Sequence, residues 1–88
     1  MTPDLWPRLF GPAELEYLAR QSDAGLAATI LFCAKEACHK AGRERVLRFL
    51  DLNITLAEAS FAARRDAEEF QGRFGFDEDL VLAAAWPR

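Results

Sequence analysis

Two hydrophobic periods divide this chain, and the change from one to the other limits its fold more than any other feature. Between Ala24 and Ala41, apolar residues recur at helical spacing: Ala27, Ile30, Leu31, Ala34, Ala37, Cys38 and Ala41 fall on one side. From Leu52 onward the period is two. Leu52, Ile54 and Leu56 alternate with Asn53 and Thr55, and Phe70, Gly72, Phe74 and Phe76 alternate with Gln71, Arg73 and Gly75. A core-facing helix followed by half-buried strands predicts an α+β domain with helices on an antiparallel sheet.

The punctuation agrees with this order. Pro12 suits the first position of a helix that follows Gly11, with Glu14 and Glu16 near its positive end and Leu15, Leu18 and Ala19 as its apolar stripe. That helix is expected to end near Ser22, with Asp23 capping a second helix over residues 24–41 and Gly42 stopping it. Residues 57–60 then read as the turn to a strand containing Phe61 and Ala63. Asp77, Glu78 and Asp79 form a solvated turn before the apolar run 80–86, giving two hairpins in all. At 88 residues the chain makes one domain, residues 1–88, with no internal repeat or linker.

Charge and cysteine use exclude several functions. A net charge of -3 argues against a nucleic-acid binder held by phosphate contacts. The chain is too interrupted by charge to span a membrane, and its first residues lack the basic and apolar regions of a secretory signal, so the expected location is the cytoplasm. Cys33 and Cys38 project roughly 140° apart on a helix, which makes them reduced thiols rather than a pair. With His39 they share no face, so a zinc site is not expected. Arg64, Arg65 and Arg73 read as solvated strand charges, able to steer an acidic partner.

The second helix poses one puzzle. The same projection assigns Phe32, Lys35, Glu36, His39 and Lys40 to the side opposite the core stripe, an aromatic residue among charges. Glu36 and Lys40 alone would be an ordinary i,i+4 pair worth about 0.2–0.5 kcal/mol. The longer string runs Phe32, Cys33, Ala34, Lys35, Glu36, Ala37, Cys38, His39, Lys40 and Ala41. It resembles the signature of 4'-phosphopantetheinyl transferases, in which an aromatic residue, a small residue and a free position precede Lys-Glu, and Lys follows four residues after Glu. The flanks "GPAELEYLA", "LNITL", "FQGRF" and "DLVLAAAW" are similar to the enterobactin-synthase type of these enzymes, from about Trp6 to Trp86.

The resemblance implies transfer of phosphopantetheine from coenzyme A to a serine of an acyl- or peptidyl-carrier protein, with Mg2+. It makes Glu36 a metal ligand and catalytic residue, Lys40 a catalytic and phosphate-binding residue, and Lys35 a phosphate contact or a group that orients Glu36. Phe32 becomes the floor of the site. The family's upstream strand of Gly, aliphatic, Asp, any residue and Glu has no counterpart before Trp6. Larger family members are pseudo-dimers, and the similarity covers the C-terminal half. A missing N-terminal half or self-association is therefore expected to complete the structure. Two alternatives stay open: a non-catalytic remnant that keeps a protein-interaction role, and an unrelated helix-sheet domain.

Overall fold

The computed structural model describes residues 3–41, 50, 52–65, 68–77 and 80–88. A 3₁₀ turn, Pro3–Leu5, leads into α1 (Trp6–Leu9), α2 (Pro12–Ala19) and α3 (Ala24–Ala41). Four strands follow: β1 (Asn53–Leu56), β2 (Ser60–Arg65), β3 (Glu68–Phe76) and β4 (Val81–Pro87). They form one antiparallel meander in the order β1-β2-β3-β4, as the period-two pattern predicts.

Register follows from which side chains face the helices. Ile54, Ala63 and Phe70 pair across β1, β2 and β3, and Leu56, Phe61, Gly72 and Ala85 form the next row across all four strands. These rows face α3, and Ile54, Phe61, Ala63 and Phe70 are buried against Ala27, Ala28, Leu31, Ala34 and Cys38. Alanines at 28 and 34, both wholly buried, let the helix approach the sheet closely. A larger residue at either would overpack the contact, at a cost of about 1–3 kcal/mol. The opposite sheet face carries Thr55, Ala62, Gln71 and Trp86 in one row, and no described helix covers it.

Local signals set the element ends. Asp23 caps α3, its Oδ1 accepting the Leu26 N–H at 3.1 Å. The expected stop at Gly42 and the turn residues Glu78 and Asp79 lie outside the described residues. Asp77 ends β3, its Oδ1 accepting the Leu80 N–H at 2.9 Å. α2 stops at Ala19, three residues before the expected Ser22, because the Arg20 and Gln21 N–H groups bond back to Tyr17 and Leu18 carbonyls in a tight closing turn. The short helix α1 was not apparent in the pattern. It delivers Phe10 into the core at 1% exposure.

One assignment from the helical projection needs correcting. Lys35 does not share the solvent face of α3; it is wholly buried. The reason is its spacing: it lies four residues after Leu31, seven after Ala28 and three before Cys38, all of them buried. Phe32 is half-buried and packs against the edge of the same core.

Candidate active site

Two charged residues of the motif reach solvent. Glu36 and Lys40 are both exposed, and their four-residue spacing sets them one above the other, about 6 Å apart along the helix axis. Among the described residues neither joins an ion pair, so the ordinary i,i+4 pair that their spacing allows is not formed. A free carboxylate and a free ammonium on one face can take up a cation and an anion respectively. His39, also exposed, lies between them in sequence.

Glu36 also shapes its surroundings electrostatically. The Cys33 thiol, one turn earlier and half-buried, has its pKa raised first by burial and second by the Glu36 charge. That thiol therefore stays protonated, and it makes a long contact of 4.0 Å to the Val81 carbonyl. Cys38 is buried deeper, and burial pushes its pKa up to about 12 against the opposing influence of Lys35. Neither cysteine is placed to be a thiolate ligand.

Lys35 occupies a different environment from its motif neighbours. Its Nζ lies 2.7 Å from Glu14 Oε1 and donates to the Leu52 carbonyl at 2.8 Å. The ammonium also stands 5.5 Å from the centre of the Phe10 ring. Burial lowers its pKa, while the hydrogen bond and charge of Glu14, and the neighbouring Cys38, act to raise it. Glu14 is equally enclosed: Oε1 accepts the Gly11 N–H at 2.9 Å, and Oε2 accepts the Ile54 N–H at 3.0 Å. The sequence gives one sign of this, since a glutamate three residues after Gly11 has the spacing that reaches back to a helix start. Its longer reach to β1 and α3 has no local signature.

As a metal site the described residues supply little. Among the described residues no group of three or more His, Cys, Asp or Glu side chains converges. Glu36 alone meets the lower limit for magnesium, which is held by one or two carboxylates together with substrate phosphates. A surface depression of about 440 Å³ lies on the far side of the sheet and is lined by Thr55, Gln71, Arg73, Trp86 and Arg88 among others. Neither Glu36 nor Lys40 borders it. Arg64 pairs with Glu69 at 2.9 Å on that outer face, and Arg65 lies 3.8 Å from Glu68. No helix among the described residues is long and apolar enough to cross a membrane.

Comparison with known proteins adds one result. No curated protein and no solved structure gives a significant match. A family profile does, over residues 1–85, a span that includes α2, the motif helix α3 and nearly all of the sheet. The α+β fold agrees with that match, and the chain belongs to the 4'-phosphopantetheinyl transferase superfamily.

Proposed function

We propose that this chain is the C-terminal-half unit of an enzyme, of the enterobactin- and surfactin-synthetase type, that moves the phosphopantetheine arm of coenzyme A onto a serine of an acyl- or peptidyl-carrier protein. The observation that carries the transferase part of this reading is the superfamily match over residues 1–85, a span in which Glu36 and Lys40 are exposed on one helix face and free of ion pairs among the described residues. In the transfer, the serine oxygen bonds to the phosphorus that bears the pantetheine arm. The bond from that phosphorus to the bridging oxygen breaks, and adenosine 3',5'-bisphosphate leaves. Such a reaction depends on positioning and charge neutralisation more than on covalent help from the protein.

Magnesium, when bound, would neutralise charge on the diphosphate. Glu36 offers that cation an oxygen ligand and can accept the serine proton. Lys40 meets a phosphate oxygen as a compact positive charge. A second α/β half or a second copy of the chain would add an opposite wall and further carboxylates.

The test is mass spectrometry of an apo carrier protein incubated with the chain, coenzyme A and magnesium. Addition of the phosphopantetheine mass, lost in Glu36→Gln, supports the transferase. An unmodified carrier together with no magnesium-dependent binding of coenzyme A would overturn it. The second reading, a protein-interaction module without catalysis, is favoured by the absence, among the described residues, of any group of three or more His, Cys, Asp or Glu side chains that could hold a metal ion. It predicts carrier binding that Glu36→Gln leaves intact and no uptake of coenzyme A.

A further inference from the structure

We infer that Glu14 is a positioning residue for the α3 site: by holding Lys35 in the core it fixes the rotation of α3, and with it the direction in which Glu36 and Lys40 face. This rests on the transferase reading and extends it to a residue of another helix.

Three elements meet at one charge pair. Glu14 comes from α2, Lys35 from α3, the Leu52 carbonyl from the residue just before β1, and the Ile54 N–H from β1 itself. The side chains of Lys35 and Glu14 are 0% and 1% exposed. The carboxylate accepts from Gly11, Ile54 and Lys35. With one oxygen on α2 and Lys35 and the other on β1, it cannot turn without breaking a bond. Lys35 and Glu36 are consecutive, so their side chains diverge by about 100° around the helix. Fixing the first in the core fixes the second in solvent.

A functional carboxylate must be held to within about 10–20° of its working direction. Glu36 has no ion-pair partner of its own among the described residues to do this, so its orientation comes from the helix that carries it. Rotation of α3 would displace Lys40 by the same angle. Lys35 cannot also meet a substrate phosphate while it holds these bonds, since its Nζ is enclosed between Glu14, Leu52 and Phe10.

The experiment measures magnesium-dependent binding of coenzyme A to the full chain, below the melting temperature of each variant. Glu14→Gln, Lys35→Met and the double variant should each raise the magnesium concentration at half-saturation about tenfold, the double no more than either single, because one unit is lost in all three. Lys35→Arg should recover most of the loss seen in Lys35→Met. A Glu14→Gln protein that binds normally while Lys35→Met does not would show that Lys35 acts on the substrate directly, and would overturn the inference. Should these variants fail to fold, Glu14→Asp keeps the charge and shortens the reach, and the same rise is expected; normal binding again overturns it. Amide chemical shifts of residues 32–40 in the same variants report helix rotation without any ligand. Unchanged shifts refute the inference, whereas a wild-type chain that binds no coenzyme A refutes the transferase reading instead.

Discussion

Phe61 and Gly72 face each other across β2 and β3, and the ring of Phe61 lies over the glycine where any side chain would stand. The carbonyl of Ala84 on β4 closes the same space from the other side. Glycine normally weakens a strand interior, and here its missing Cβ is what admits the aromatic ring. Gly72→Ala should therefore destabilise the domain by about 1–3 kcal/mol, in the range of core overpacking. Urea unfolding should show a lower midpoint with an unchanged slope. An unaltered midpoint would mean that Phe61 packs elsewhere.

Glu36 and Lys40 should show the opposite behaviour. Both are exposed and free of ion pairs among the described residues, so Glu36→Gln and Lys40→Met should change stability by no more than about 0.5 kcal/mol. Phosphopantetheine transfer should nevertheless fall about 100-fold or more, the scale seen when one preorganised charge-stabilising group is removed. The two measurements, thermal unfolding and carrier loading, must diverge. Parallel losses would show that these residues serve the fold.

The sheet was legible in the sequence because its inner rows are continuous: Ile54, Phe61, Ala63 and Phe70 alternate with polar or small residues that face outward. The long helix was legible for the same reason, and Asp23 marked its start. Lys35 was misplaced because a lysine is read as solvated, although its spacing from Leu31 and Cys38 put it on the buried arc. What cancels its burial cost is Glu14, twenty-one positions earlier on a separate helix, together with a carbonyl of the strand lead-in. No periodicity of one element can display a pairing made between three. The two exposed members of the motif needed no such partner, so their surface position followed from the pattern alone.

The two thiols should react in a set order. Cys33 is half-buried with a raised pKa, and Cys38 is wholly buried with a pKa of about 12, so a thiol reagent at pH 8 should modify Cys33 slowly and Cys38 only on unfolding. The Cys38 shift also makes a pH prediction. Its folded pKa lies above the ordinary value of 9.0, so its contribution to stability is full below pH 9 and is lost as pH rises toward about 12. Neighbouring Lys35 has a lowered pKa and acts in the other direction, contributing more as pH climbs toward 10.5. Comparison with Cys38→Ala isolates the thiol: the stability difference between the two proteins should shrink from pH 9 upward. A difference independent of pH in that window would refute the shift.

Two ion pairs of α2 allow the value of burial to be measured within one helix. Glu16 and Arg20 stand 3.9 Å apart in solvent, their side chains 74% and 67% exposed, and such a pair contributes about 0–1 kcal/mol. Arg20→Ala should scarcely move the unfolding midpoint. Glu14 and Lys35 are enclosed, and removing either partner leaves the other charged and buried, at a cost of about 3–5 kcal/mol. The two sides of this pair are not equivalent. Lys35→Ala leaves Glu14 still accepting the Gly11 and Ile54 N–H groups, whereas Glu14→Ala strands both of those donors as well as the ammonium. Each orphaned buried donor adds about 1–3 kcal/mol. Glu14→Ala should therefore be the more damaging of the two, by at least about 1 kcal/mol in chemical denaturation, and equal losses would show that the strand N–H groups find water once the carboxylate is gone.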